Sequence, residues 1–248
     1  MVRIGKIPYL NCEPFFAHLS GFELREVTPR QLGQAVAEGA VDAGPLSLVD
    51  FLNLGSAVAA LPFGIATPGP ARSVFLFSDR PLAQLDGAVI GVTNETTTSV
   101  QLLKLLLALK YEAVPRAWVG ADEPCDAVLL IGDRAIRALK SDLRFAQAVD
   151  LGSEWVQWPG LPCVFARWGV RTSVPKAEQL ALSRALDEAL DRGLAALPEI
   201  ARQRRDTGFT EAEVVAYLSG FTYRLGAEEE KAIIEFSRLR GFLGDERC

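Results

Sequence analysis

The sequence predicts an α/β protein with two lobes, and three observations support this prediction. Short apolar segments alternate with helical segments over residues 2–168, which is the pattern of a mainly parallel sheet covered by helices. Two extended segments, at residues 73–77 and 161–168, have the length and apolar character to cross between two such units. Apolar residues make up 49% of the 248-residue chain, which is sufficient for a substantial core.

The predicted elements of the first unit alternate in type. Strands are expected at residues 2–7 and 40–43, and helices at residues 13–19, 28–38 and 45–53. Thr28 and Gln31 have the spacing of a capping box, and Pro29 stands at the first helical position between them. Gly39 then indicates the end of this helix, because glycine readily takes the left-handed conformation that ends helices.

A second unit follows a stretch, residues 57–78, that prolines and glycines interrupt. Its strands are expected at residues 88–92, 114–119, 127–131 and 145–149, and its helices at residues 96–110 and 133–140. Thr96 is a suitable N-cap for the first of these helices. From residue 175 onward leucines recur at helical spacing, and helices are expected at residues 175–197, 211–219 and 227–239.

Two such units, joined by two crossing strands and followed by a helical segment, form the architecture of type II periplasmic-binding-protein-like folds. The expected lobes are residues 1–93 together with 170–248, and residues 94–169. Lobes joined by two strands can hinge, so a small ligand between them is enclosed and separated from water.

Composition narrows the classes of function. The net charge is −5 without any block of five lysines and arginines, so no nucleic-acid partner is expected. The N-terminal segment lacks an apolar stretch of signal-peptide length, and no apolar run reaches membrane-spanning length. The four cysteines are scattered and only one histidine is present, so no metal site is expected. We therefore expect a cytoplasmic protein with a small-molecule partner, whose oligomeric state the sequence does not indicate.

Two candidate site residues follow predicted strands of the first unit. Asn11 lies after the first strand, at the sheet edge where α/β folds bind ligands, and its amide offers both a donor and an acceptor. A role as cap of the following helix is an equal alternative. Ser47 lies after the strand at residues 40–43, where capping is favoured and carboxylate binding is the alternative.

The run Asn94-Glu95-Thr96-Thr97-Thr98-Ser99 precedes the long helix of the second unit. It has more hydroxyl and polar groups than one cap requires, and a helix N-terminus favours negative charge, so it indicates an anion site. Gly132 and Asp133 form a weaker candidate, because the Asp133 carboxylate would repel an anion.

The remaining candidates indicate less. Ser73, on the first crossing segment, has no histidine or suitable lysine beside it, which disfavours a hydrolytic triad. His18 is expected to pack or to lie at the surface rather than to act in catalysis. The tryptophans Trp155, Trp158 and Trp168 are expected to pack in the core, with a position over the cleft as the alternative.

Several segments together resemble one family, the chorismate dehydratases of the futalosine route to menaquinone. In chain order they are RIGKI, YLN and P within residues 3–14, VDAGPLS at 41–47, RSVFLFS at 72–78, TTTSV at 96–100, LIGD at 130–133, DLG with W at 150–155, and GLP with VFA at 160–166. The resemblance extends over residues 2–168, and the helical tail agrees only in outline.

This resemblance implies that chorismate loses water to give 3-[(1-carboxyvinyl)oxy]benzoate, without a metal or an organic cofactor. It implies that Asn11 and Ser73 lie at the substrate as catalytic residues. We expect Asn11 near the departing hydroxyl, and Ser73 and the Thr97-Thr98-Ser99 run at the two substrate carboxylates. Tyr9, Ser47 and Gly132 complete the expected substrate-binding set. No strong protein base is visible, so a substrate carboxylate is the expected proton acceptor.

Two alternatives remain open at this level. The sister enzyme 1,4-dihydroxy-6-naphthoate synthase shares the fold, but its opening motif has a Ser-Pro-Cys-Pro-Asn-Asp-like run that this chain lacks. The other alternative is a non-catalytic protein that binds a small carboxylate.

Overall fold

The structure is a computed structural model and describes residues 2–93, 95, 97–141 and 144–243. Its strands are β1 (Arg3–Lys6), β2 (Glu23–Glu26), β3 (Ala43–Ser47), β4 (Val58–Thr67), β5 (Val74–Ser78), β6 (Val89–Val92), β7 (Ala117–Gly120), β8 (Ala127–Ile131), β9 (Gln147–Asp150), β10 (Cys163–Arg171) and β11 (Thr222–Arg224). Its helices are α1 (Glu13–Phe16), α2 (Pro29–Glu38), α3 (Leu48–Leu54), α4 (Thr98–Leu105), α5 (Gly132–Lys140), α6 (Leu151–Gln157), α7 (Lys176–Ala195), α8 (Leu197–Gln203), α9 (Glu211–Leu218) and α10 (Ala227–Arg240).

The strands form two sheets, as the α/β prediction requires. The first has the order β11-β4-β10-β3-β1-β2, and the second has the order β7-β6-β8-β5-β9. Both are mixed rather than mainly parallel: β10 runs antiparallel to β3 and β4, and β5 runs antiparallel to β8 and β9. The predicted alternation holds where β1, β2 and β3 pair in parallel, and where β6 pairs in parallel with β7 and β8.

The chain passes between the sheets in two short segments, residues 68–73 and 158–162. The segments expected to cross lie instead within one sheet each, because β5 pairs on both sides in the second sheet and β10 on both sides in the first. The division by sheet therefore differs from the expected boundaries at 93/94 and 169/170. We propose that the lobes meet within residues 68–73 and 158–162.

The helix start predicted from the capping box of Thr28 and Gln31 is confirmed. The Thr28 hydroxyl accepts a hydrogen bond from the Gln31 N–H at 3.3 Å, and Gly39 ends α2 with φ of 76°. The predicted N-cap Thr96 lies outside the described residues. The sequence did not predict β2, because this edge strand is exposed along its whole length and has no apolar run.

Apolar side chains from both units form the core. In the first sheet Phe15 packs edge-on against Phe63, Trp168 and Tyr223, with ring centroids 5.4–6.2 Å apart. In the second unit the leucines of α4 are fully buried under the sheet. A third cluster joins Leu10, Ile136 and Tyr217, so the helical tail packs on the segment after β1 and on α5.

We predict that Gly193→Ala destabilises the protein, because α7 crosses α1 closely at this residue. A Cβ at Gly193 would lie 2.0 Å from the Pro14 carbonyl oxygen, which is backbone and cannot rotate away. Overpacking of this kind costs roughly 1–3 kcal/mol. Chemical denaturation of this variant would show the loss, whereas Gly69→Ala, with open space around the added methyl, serves as its control. An unchanged free energy of unfolding for Gly193→Ala would contradict the described packing.

Candidate functional site

A cavity between the two sheets brings together six of the eight residues selected from the sequence. Its lining includes Tyr9, Asn11, Ser47, Ser73, Ser99 and Gly132. The cavity has a volume of about 560 Å³, part of which is open to solvent. Most of the remaining wall is apolar and includes Ile7, Ile65, Phe165 and Phe221. A few polar groups in an apolar wall are typical of a site that orients one small ligand.

Asn11 lies in a short turn, Leu10–Cys12, directly after β1. Its side chain makes no capping hydrogen bond to this turn or to α1, so the capping alternative is not observed. The one hydrogen bond that its Oδ1 accepts from a described residue is long, 3.6 Å from the Cys12 thiol. Within the described part of the chain, the amide nitrogen of Asn11 has no protein acceptor and is available to a ligand in the cavity.

Ser73 is held at the end of the first crossing segment. The Asp150 carboxylate accepts hydrogen bonds from the backbone N–H groups of Ala71 and Arg72 at 2.9 and 2.6 Å. Arg72 has φ of 59°, a left-handed conformation that is unusual outside glycine and that these two bonds support. The Ser73 carbonyl accepts from the Gly132 N–H at 2.8 Å. The backbone of Ser73 is therefore fixed on both sides before any ligand binds.

Ser47 and Thr97 contact each other across the two units. The Ser47 hydroxyl accepts from the Asp50 N–H at 3.1 Å, donates to the Asp50 carboxylate at 2.7 Å and lies 2.5 Å from Thr97 Oγ1. Ser47 therefore caps α3, the role that its spacing favoured, and its hydrogen-bonding capacity is used within the protein. Burial raises the pKa of the Asp50 carboxyl, while hydrogen bonds from Ser47 and Thr97 oppose that rise.

Among the described residues of the predicted hydroxyl run, only Ser99 lines the cavity. The Thr98 hydroxyl accepts a hydrogen bond from the Val49 N–H at 3.1 Å, so it joins α4 to α3. Thr97 and Thr98 do not line the cavity, whereas Ser99 is buried at its edge on the first turn of α4. Asn94 and Thr96 lie outside the described residues.

Tyr9 closes one side of the cavity. Its hydroxyl donates to the Glu95 carboxylate at 2.6 Å, and burial followed by this bond raises the pKa of Tyr9, so the phenol stays protonated at neutral pH. A Cβ at Gly132, where φ is 56°, would lie 3.1 Å from the Tyr9 ring. Glycine at this position therefore allows both the left-handed backbone and the close approach of the ring.

A charged cluster lies behind the segment that carries Asn11. The Asp133 carboxylate accepts from the Leu10 N–H at 3.2 Å and pairs with Arg204 at 2.5 Å. Arg204 also pairs with Glu13 at 2.7 Å and Asp206 at 3.0 Å, so one guanidinium joins the helical tail to both units. Burial raises the pKa of the Asp133 carboxyl, and the bonds from Leu10 and Arg204 counteract it. Asp133 thus supports the site rather than lining it.

The other sequence candidates lie outside the cavity. His18 is not among its lining residues, and Trp155 and Trp168 are fully buried in the core, where Trp155 donates to the Pro162 carbonyl at 3.0 Å. In the described ranges, no group of histidine, cysteine and carboxylate side chains has an arrangement that holds a metal ion. No helix there combines the length and apolar character needed to cross a bilayer.

Three functional contributions were missed from the sequence. Tyr217 donates to the Ser73 hydroxyl, Phe221 lines the cavity, and Asp150 fixes the crossing segment. Asp150 had a readable signal, since its carboxylate also caps α6 by accepting from the Ser153 N–H three residues later. The positions of Tyr217 and Phe221 depend on how the helical tail folds back, for which local spacing has no signal.

Two α/β units with a hydroxyl-bearing cavity between them define the class: an α/β protein with a periplasmic-binding-protein-like fold. A protein of Archaeoglobus fulgidus has the same fold with a TM-score of 0.79 at 18% identity, covering 98% of this chain and 97% of that one. The periplasmic aliphatic sulphonate binding protein SsuA of Escherichia coli follows with a TM-score of 0.69 at 15% identity, covering 99% and 87%. These identities support the fold alone.

Sequence comparison then gives the family. The family described as menaquinone biosynthesis matches residues 2–240, and the chain belongs to it. The chain is also 33% identical to the chorismate dehydratase of Thermus thermophilus, over 96% of this chain and 94% of that protein.

Proposed function

We propose that this chain is a chorismate dehydratase, which converts chorismate into 3-[(1-carboxyvinyl)oxy]benzoate in the first step of the futalosine pathway. The observation that carries the proposal is the meeting of Asn11 and Ser73 in one cavity between the sheets. They come from different segments of the chain. Ser73 was assigned to the substrate from the resemblance, and Asn11 both from its position after the first strand and from the resemblance. The identity to a chorismate dehydratase along nearly the whole chain supports the same activity.

The reaction requires little chemical machinery. The ring loses its hydroxyl, whose C–O bond breaks, and a proton, whose C–H electron pair becomes a ring double bond. The hydroxyl leaves with one proton as water, and the product ring is aromatic, which supplies the driving force. The protein must therefore orient the ring, assist the departing hydroxyl and allow one proton to move.

Asn11 is proposed to assist the departing hydroxyl. Its amide nitrogen has no acceptor within the described chain, so it can donate to the oxygen as negative charge develops there. The hydroxyls of Ser73, at the end of the crossing segment, and of Ser99, on α4, are proposed to bind substrate carboxylates. The first turn of α4 at Ser99 adds a favourable potential for a negative group.

The proton acceptor is proposed to be a carboxylate of the substrate itself. The titratable side chains of the described lining are those of Tyr9 and Cys12. The pKa values of both groups ordinarily lie above neutral and burial raises them further, so both stay protonated and neither is a base at neutral pH. A carboxylate of the bound substrate, held near the ring and shielded from water, is a group of suitable basicity.

The test is incubation of purified protein with chorismate, followed by chromatography with mass detection. We expect a product lighter than chorismate by one water, with the retention time of 3-[(1-carboxyvinyl)oxy]benzoate, and a protein-free sample corrects for spontaneous rearrangement. Calorimetric titration on the same preparation measures binding. Tight binding of chorismate without product would contradict the dehydratase proposal and favour a carboxylate-binding protein.

We also propose that the protein works in the cytoplasm with a small dicarboxylate as its partner. Cys12, Cys125 and Cys163 are free thiols, which fits a compartment that keeps cysteines reduced.

A further inference from the structure

The helical tail contacts the Ser73 hydroxyl through the side chain of Tyr217 on α9. Its hydroxyl lies 2.8 Å from the Ser73 hydroxyl, and the two residues are 2% and 1% exposed. Among the described residues, the Ser73 hydroxyl has one further hydrogen-bond partner, the Ala71 carbonyl at 3.4 Å. The proposed catalytic pair is Asn11 and Ser73. Within the described chain, only Ser73 has a buried hydroxyl, that of Tyr217, as a hydrogen-bond partner.

Hydrogen-bond accounting fixes the direction of the Tyr217–Ser73 bond. Burial raises the pKa of the Tyr217 phenol far above neutral, so its proton is always present. The described residues offer this proton no acceptor other than Ser73 Oγ. If Ser73 donated to Tyr217 instead, a buried phenol proton would be left unpaired, which costs free energy. Tyr217 is therefore the donor and Ser73 the acceptor.

This direction determines what the Ser73 hydroxyl can offer a ligand. One lone pair of Ser73 Oγ is used by Tyr217, so the serine's own hydrogen remains for an acceptor. In the structure that hydrogen has the Ala71 carbonyl at 3.4 Å, a long and weak contact that a ligand oxygen can replace. Ser73 is consequently prepared to act as a donor toward an anionic oxygen.

We propose that Tyr217 is a positioning residue, which holds the Ser73 hydroxyl as a hydrogen-bond donor toward a carboxylate of the substrate. This inference rests on the proposed function, because it assigns a role in that reaction. Tyr217 acts through Ser73 and does not line the cavity itself.

Packing holds the Tyr217 ring independently of its hydroxyl. The ring stacks edge-on against Phe221 with centroids 5.0 Å apart and against Phe209 at 5.7 Å. A capping box of Thr210 and Glu213 starts α9, and Arg72 donates to the Ala216 carbonyl at 3.3 Å. Phenylalanine at position 217 therefore keeps the ring in place, and Tyr217→Phe removes only the donor.

A double-mutant cycle tests the inference. Steady-state kinetics with chorismate are measured for the wild type, Tyr217→Phe, Ser73→Ala and the double variant. We expect Tyr217→Phe to lower kcat about fivefold to tenfold, the effect of one lost hydrogen bond, while KM changes less than about twofold. In the Ser73→Ala background the same change is expected to have no further effect on kcat, because its target hydroxyl is absent.

A packing control separates positioning from structure. Phe209→Leu removes one ring contact of Tyr217 and keeps the hydroxyl. We expect it to lower the melting temperature without the fivefold loss of kcat, because the closer contact with Phe221 still holds the ring. Equal losses of kcat from Tyr217→Phe in both backgrounds, or no loss in either, would overturn the inference. A wild-type chain that binds but does not convert chorismate would overturn the proposed function itself, and the inference with it.

Discussion

Replacing Asn11 with alanine is expected to lower kcat for chorismate dehydration by roughly 10²–10³, the usual effect of removing one preorganised donor from developing negative charge. The structure favours so large a loss because no other neutral amide side chain lines the cavity within the described residues. The Asn11 side chain makes no capping bond, so its removal should leave the turn at Leu10–Cys12 intact. Steady-state kinetics together with a thermal melt would separate lost chemistry from lost fold.

Asn53→Ala is the matched control for this prediction. Asn53 is exposed at the end of α3, and its side-chain oxygen accepts from Arg240 at 3.0 Å, away from the cavity. We expect its kcat to stay within about twofold of the wild-type value, as for most surface substitutions. Near-normal turnover by Asn11→Ala would show that the amide does not assist the departing hydroxyl.

Asn11 could be selected from the sequence because its position follows from a local rule. It comes directly after the first strand, and the carboxyl ends of parallel strands are where α/β folds bind ligands. The alternative that it caps the next helix required coordinates to decide, since spacing allows both. Ser73 was assigned from the resemblance. The spacing of Asp150 and Ser153 indicates a helix cap, but nothing in the sequence indicates that the Asp150 carboxylate also holds the left-handed Arg72 before Ser73.

The hydroxyls of Thr97 and Thr98, at the start of α4, could not be assigned correctly from the sequence. Spacing indicated that Thr97 and Thr98 would face a ligand, because a helix N-terminus attracts anions. In the structure α4 begins beside α3, and the nearest partners are Ser47 and the Val49 N–H of the opposite unit. The approach of two helices from separate sheets is a long-range event, which local periodicity does not encode.

The antiparallel strands of the two sheets were not predicted either, because strand direction also depends on long-range connections. A strand followed by a helix predicts a parallel crossover, and β1 to β3 follow that rule. Strands β5 and β10 instead enter their sheets from the crossing segments, so they arrive in the opposite direction and pair antiparallel. Their apolar composition correctly indicated buried strands, but composition does not indicate whether a strand runs parallel or antiparallel to its neighbours.

Asp133→Ala is expected to have the largest effect on stability of the substitutions considered, a loss of about 3 kcal/mol in the free energy of unfolding. Asp133 is 7% exposed, and its carboxylate is the shared acceptor for the Leu10 N–H and for Arg204. Without it a buried backbone N–H is unpaired and a half-buried guanidinium loses a partner. Arg204 retains Glu13 and Asp206, which places the expected loss at the lower end for a broken buried pair.

Asp122→Ala provides the comparison, since the Asp122 side chain is 85% exposed and pairs with Arg134 on the surface. Chemical denaturation should give this variant a loss below about 1 kcal/mol, as for exposed ion pairs. Asp133→Asn should fall between the two, because its amide oxygen can still accept from Leu10 while the charge opposite Arg204 is gone. Because Leu10 precedes Asn11, we expect turnover to fall with stability in Asp133→Ala but not in Asp122→Ala. Equal stability of the two alanine variants would show that the Arg204 cluster does not hold the Asn11 segment against the second unit.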